Sequence, residues 1–268
     1  MKRIFTFWEP KKNIPAYLQL CLKTWQKFLP EYEIVILDYE NLKDWLGEDY
    51  YPKFLYDHFA LPIQADAIRC AVLKKYGGIW MDVDTIITNE SFRQKIEELN
   101  TEFSLIVPHI CFIYGEKNTE ILVRWEKRIK KRIEFCENVY RYGLLSELYL
   151  KIFRNKLYKH LKNWSFLGND ILNNILSKMN NEAKYFPINR DELHSMPELE
   201  YEKASKKPVK TYKRFYFQQE LSDYALQDNG GIILLHNSWT PKEFMNMSEK
   251  EFLAQNNTLA KIFQKILT

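Results

Sequence analysis

Residues 64–88, QADAIRCAVLKKYGGIWMDVDTIIT, decide the fold. Ala65, Ile68, Ala71, Val72 and Leu73 recur at helical spacing, Lys74 and Lys75 fall in the last turn where they oppose the helix dipole, and Gly77-Gly78 permits a left-handed end. The helix is therefore predicted to stop at Gly77. Ile79-Trp80-Met81 then reads as a short buried strand that delivers Asp82 and Asp84 at its carboxyl end, where open α/β sheets bind their ligands. Side chains two apart on an extended chain point the same way, so both carboxylates are expected to face one ligand while Val83 faces the core. Such hard oxygen donors suit Mg²⁺ or Mn²⁺, and a cation held by few protein groups keeps positions for substrate phosphate oxygens.

Outward from this stretch, residues 2–8 read as a first strand, 15–28 as a helix and 32–37 as a second strand whose apolar run predicts burial on both faces. A helix-rich segment over 41–59 leads into the central helix. Strand-helix alternation of this kind predicts an α/β fold with a mostly parallel sheet flanked by helices. Residues 103–107 and 111–114 add strands, and 118–180 are helical in pattern, an insertion within a single domain spanning 1–268. After Gly230-Gly231, residues 232–235 read as a strand returning to the sheet and ending in His236-Asn237-Ser238-Trp239. The 203–214 stretch, with six Lys or Arg, is the most loop-like segment.

With 46% hydrophobic and 15% aromatic residues in 268, the chain has the material for a large core, which excludes disorder. No apolar run approaches the roughly 20 residues of a membrane-spanning helix, and the N-terminus turns polar too early for a signal peptide, so a cytoplasmic protein is expected. Cys21, Cys70, Cys111 and Cys136 are scattered without metal-ligand spacing and read as reduced thiols. The formal charge of +4 is too small to announce nucleic-acid binding, and no recognised motif accompanies it. Residues 121–162 nevertheless carry twelve Lys or Arg against four Glu. Leu122, Trp125, Ile129 and Ile133 form an apolar stripe there, so the segment reads as a solvated helical pair packed on the core, or as a peripheral contact with the anionic inner face of a membrane.

The run D-x-x-R-x-x-x-L-x-x-x-G-G-I-W-M-D-V-D, from Asp66 to Asp84, resembles the core signature of the glycosyltransferase family 32 sugar transferases, a group that includes many capsular-polysaccharide enzymes. It is also similar to the catalytic core of the large glucosylating toxins. The resemblance implies a GT-A (Rossmann-like) fold and a metal-dependent, retaining glycosyltransferase of surface polysaccharide biosynthesis. It implies a nucleotide-sugar donor, UDP by family weight, with a glycan or lipid-linked acceptor. By the same resemblance Asp66 and Arg69 hold donor sugar hydroxyls, Asp82 meets ribose and sugar, and Asp84 binds the metal. A similar late histidine and S-W pair places His236, Ser238 and Trp239 on metal or diphosphate, and the end of the first strand, Phe7 and Trp8, beside the nucleotide base.

The residues allow plainer roles too. Asp66 and Arg69, three apart on a helix, have the spacing of an exposed ion pair; in a pocket they would accept from and donate to sugar hydroxyls. Imidazole suits Mn²⁺ better than Mg²⁺, so His236 joined to Asp82 and Asp84 favours manganese. Ser238 and Trp239 offer O–H and N–H donors to diphosphate oxygens. Asn169 and Asp170 read as a helix cap, or as acceptor-side groups. Two rivals remain at this level: a haloacid-dehalogenase-like Mg-dependent phosphatase using Asp82-Val83-Asp84-Thr85, which would need a downstream lysine, and a non-catalytic carbohydrate-binding protein.

Overall fold

The computed structural model describes residues 2–106, 110–142, 163–179, 184–185, 207–219 and 230–268. Strand β1 (Lys2–Phe7) pairs in parallel with β2 (Tyr32–Leu37) on one side and β3 (Gly78–Met81) on the other. Beyond β3 lie β6 (Phe112–Gly115), β5 (Phe103–Leu105) and β7 (Lys184–Tyr185), giving the order β2-β1-β3-β6-β5-β7. Only β6 runs against the others, being antiparallel to both β3 and β5, so the sheet is mostly parallel as expected.

Two cores form because alternate residues leave the sheet on opposite faces. Ile4, Ile79, Met81 and Phe112 join one core with helix α1 (Ala16–Phe28) and the C-terminal α11 (Thr258–Leu267). Phe5, Phe7, Trp80 and Ile113 join the other, with α4 (Leu61–Tyr76), α6 (Glu120–Tyr142) and α7 (Asn169–Leu176). Short helices α2 (Leu42–Leu46) and α3 (Lys53–His58) lead into α4, and α5 (Ser91–Glu97) follows strand β4 (Thr85–Ile87). Near the C-terminus α8 (Pro208–Lys213), β8 (Ile232–Leu234), α9 (Lys242–Met245) and α10 (Glu249–Leu253) complete the elements the site depends on. The stripe Leu122, Trp125, Ile129 and Ile133 is buried against the second core.

The structure corrects several expectations. β2 is the edge strand, so only Val35 and Leu37 are buried and the predicted two-sided burial is absent. The strand after Gly230-Gly231 does not return to the main sheet; β8 pairs antiparallel with β4 in a separate two-stranded sheet. Part of the supposed loop over 203–214 is the helix α8, while 203–206 lie outside the described residues. Neither Asn169 nor Asp170 caps α7: Gly168 holds that position with no side-chain cap. It must be glycine, because an added Cβ would run into the Asp66 carboxylate and lie 2.6 Å from Ile110 Cδ1. Of the basic segment 121–162, residues 143–162 lie outside the described ones. On α6, Arg124, Arg128, Lys130, Arg132 and Arg141 each meet a partner within the chain. All four cysteines are free and buried, and among the described residues no helix is long and apolar enough to cross a membrane.

Candidate active site

Helix α4 ends where the sequence predicts. Gly77 caps it with φ +69, and Gly78 at φ +110 starts β3 so close to β1 that an added Cβ would lie 2.8 Å from the Arg3 carbonyl oxygen. Met81 ends β3, and Asp82-Val83-Asp84 then make a turn, closed by the Thr85 N–H donating to the Asp82 carbonyl at 3.1 Å. The two acids therefore reach the same cleft through a turn rather than by the alternation of an extended strand. Val83 is buried, as expected. The Asp82 N–H is held by the Cys111 carbonyl at 2.8 Å, and the Trp25 indole N–H donates to the Thr85 carbonyl at 2.7 Å, so both ends of the turn are tied to the body.

The cleft at the carboxyl ends of β1 and β3 encloses about 1030 Å³. Phe7, Trp8, Asp66, Arg69, Asp82, Asp84, Asn169, His236, Ser238 and Trp239 all line it; of the sequence candidates only Asp170 does not, its carboxylate instead accepting from the Asn163 amide at 3.0 Å. One wall is α4. Asp66 and Arg69 are only 4% and 5% exposed, which excludes the surface ion pair. Arg69 Nη2 lies 3.4 Å from Asp66 Oδ1 and 3.2 Å from Asp82 Oδ1, Nη1 donates to the Ile110 carbonyl, and the guanidinium covers the Trp80 ring at 4.9 Å. Trp80 Nε1–H donates to the same Asp82 oxygen at 2.8 Å. Burial pushes the Asp66 carboxyl up to about 7, a rise that Arg69 partly opposes and Asp82 adds to.

The opposite wall is the 236–239 turn. Its Asn237 N–H donates to Asp84 Oδ2 at 2.9 Å, the Leu235 N–H to the Asp84 carbonyl at 3.0 Å, and the Tyr17 hydroxyl to Asn237 Oδ1. The His236 ring stacks on Trp239 with centroids 4.1 Å apart, and the His236 N–H donates to the Tyr212 hydroxyl at 3.2 Å. Burial, then the neighbouring Asp82, raise the Asp84 carboxyl to about 7, and the Asn237 N–H holds part of the rise back. A buried carboxylate with an anionic neighbour is what a cation relieves, so the acid pair fits a hard divalent ion that takes its other ligands from phosphate. Among the described residues no three His, Cys, Asp or Glu converge as a ready cage, and His236 lines the cleft stacked on Trp239.

Sequence reasoning missed Trp80, Asn237 and Tyr212. The first two sit inside motifs already singled out and were passed over for their charged neighbours; Tyr212 lies in the stretch taken for a loop and carries no local signal.

Comparison with known proteins adds the following. The family described as capsular polysaccharide synthesis protein matches residues 1–223. Inositol phosphoceramide mannosyltransferase 3 of Schizosaccharomyces pombe is 41% identical over 58 residues, 20% of this chain; the match spans only 16% of that protein's length. The UDP-bound glycosyltransferase domain from the YGT toxin superposes with a TM-score of 0.50 at 8% identity, covering 100% of this chain and 99% of that one. At that identity the likeness is one of fold, and the fold is of the GT-A type.

Proposed function

This chain belongs to the family of capsular polysaccharide synthesis proteins, and on that premise we propose that it is a glycosyltransferase moving a sugar from a nucleoside diphosphate sugar to a hydroxyl of a growing glycan or glycolipid. The observation that carries the reading is the convergence, in one cleft, of the Asp82–Asp84 turn with the Asp66–Arg69 pair and the 236–239 turn. Three segments far apart in sequence supply acids, an oriented guanidinium and hydrogen-bond donors to a single volume. UDP is the donor nucleotide we favour, a choice consistent with the UDP-bound toxin domain of like fold.

In this scheme Asp82 and Asp84 hold Mn²⁺ or Mg²⁺. Such an ion, when bound, neutralises charge that grows on the diphosphate as the bond to sugar breaks. The chain's own groups do the rest. Arg69, fixed between Asp66 and Asp82, presents its remaining N–H to the donor sugar, and Asp66 accepts from sugar hydroxyls. Ser238 and Trp239 donate to the departing diphosphate, with His236 stacked behind, and Trp8 lies beside the base.

We further propose retention of anomeric configuration. Asp66, Asp82 and Asp84 are the described acids lining the cleft, and each is engaged, by Arg69, by Arg69 with Trp80, and by the Asn237 N–H respectively. With Asp82 and Asp84 assigned to the ion and Asp66 to sugar hydroxyls, no acid is left over as nucleophile, which favours same-face attack within a tight ion pair, the leaving phosphate taking the acceptor proton. No lysine lines the cleft among the described residues, which counts against the phosphatase alternative.

Incubation with UDP-glucose, UDP-galactose, UDP-N-acetylglucosamine and GDP-mannose in Mn²⁺ tests the reading. Donor hydrolysis that stops on chelation is the expected result. Cleavage of phosphomonoesters instead, or binding of donor without turnover, would sink it in favour of a phosphatase or a carbohydrate-binding protein. Product with inverted configuration would remove only the retaining scheme.

A further inference from the structure

Resting on the transferase reading, we propose that Trp164 is the stacking platform on which the acceptor saccharide docks. At 63% exposure it is the most solvent-exposed large hydrophobic side chain among the described residues, and it stands on the rim of the same cleft. An isolated surface tryptophan needs no explanation; one on a turn with a fixed backbone, at the mouth of a cleft that holds three acids and an arginine, is a different matter.

The rigidity comes from the loop around it. Asn163 Oδ1 accepts from the Ser165 N–H at 3.2 Å and hydroxyl at 2.9 Å, and its carbonyl accepts from the Phe166 N–H at 2.9 Å. The following carbonyls are tied to α6: that of Leu167 accepts from the Trp125 indole at 2.6 Å, and that of Phe166 from Arg132. The turn thus projects the intervening indole outward with its backbone already fixed, so little ordering remains to oppose binding. A flat apolar face with an N–H edge matches a pyranose, which presents a C–H face bordered by hydroxyls.

Position selects the acceptor over the donor. Gly168, four residues on, lies against the Asp66 carboxylate, so the Trp164 loop belongs to the wall assigned to the donor sugar. The 236–239 turn, assigned to the diphosphate, contacts Asp84 on the other wall. Asp66 and Arg69, which take the donor sugar in this scheme, are buried, whereas Trp164 stands exposed at the mouth of the cleft, so a saccharide stacked on it lies outward of the donor sugar, where a growing glycan enters and can deliver its hydroxyl to the face the phosphate leaves.

The test uses the full chain labelled with 5-fluorotryptophan, whose seven tryptophans give separate ¹⁹F signals. Trp164→Phe assigns the signal of interest by its loss, and Trp8→Phe and Trp239→Phe assign two others. Methyl glycosides of glucose, galactose, mannose and N-acetylglucosamine are titrated, and UDP with Mn²⁺ separately. The Trp164 signal is expected to shift saturably with at least one glycoside, at half-saturation in the millimolar range, and to ignore UDP. A Trp164 signal that follows UDP, or that ignores all four glycosides, overturns the proposal. Trp8 and Trp239 signals that stay still under UDP would count against the donor site while a glycoside response at Trp164 stood, so the two failures are told apart.

Discussion

Arg69 is the residue on which the cleft turns. It touches two carboxylates, a backbone carbonyl and an indole face, contacts that require a planar fork. Arg69→Lys keeps the charge and loses the geometry, so donor turnover should fall on the order of 10²-fold or more, read as kcat/KM for nucleotide-sugar hydrolysis. Arg69→Ala leaves Asp66 buried beside Asp82 with no counter-charge and should cost about 3–5 kcal/mol of stability in urea unfolding. Asp66 carries its own signature. Its folded pKa of about 7 lies above the unfolded value near 4, so the unfolded chain releases that proton first. Its contribution is fully present below about pH 4 and is lost as pH rises through 7. The unfolding free energy of the parent protein should therefore drop more between pH 4 and pH 8 than that of Asp66→Asn, by on the order of 1–3 kcal/mol. Parallel pH curves for the two would show that folding leaves the Asp66 titration where it stands in the unfolded chain.

At the scale of elements, what the sequence disclosed was whatever neighbours decide. Gly77-Gly78, the three apolar residues after it and the two acids announced a helix end, a strand and a ligand site because a cap and a short strand depend on adjacent residues. Gly78→Ala puts a side chain at φ +110 against the Arg3 carbonyl and should cost about 1–3 kcal/mol, measured as a lowered Tm. Elements whose partners are remote stayed hidden. β4 is three residues long, too short to show a period, and its partner β8 lies across the chain. The edge position of β2 was equally illegible, since an apolar run reads alike with one neighbour or two. The Trp164 loop belongs to the same class: the contact that fixes it comes from α6. Trp125→Phe keeps most of the bulk and removes the hydrogen bond to Leu167, so amide hydrogen exchange over 165–168 should quicken, with a stability loss of about 1–2 kcal/mol. Unchanged exchange there would mean that the loop holds itself.

Over the whole molecule, one side of the sheet packs α1 and α11 and the other packs α4, α6 and α7, while the turn between Asp82 and Asp84 sits where the two meet. Binding there should couple to global stability. Mn²⁺ with UDP at about 100 times Kd should raise the unfolding free energy by about 2.7 kcal/mol, seen as a higher Tm, and Asp84→Asn should abolish the gain. A gain that survives in Asp84→Asn would move the ion elsewhere. The resemblance carried by 64–88 reached further than any local rule, since it pointed to the late histidine and S-W pair, which line the same cleft as Asp84; it offered nothing for Trp164, which lies outside the motif. The two walls of the cleft descend from different cores, the 236–239 turn from the side of α1 and the Trp164 loop from the side of α6. Substitutions accumulating under one wall can thus leave the other in register, and under the proposed reaction a lineage built on this scaffold is free to change what it decorates while keeping the currency in which its building blocks are activated.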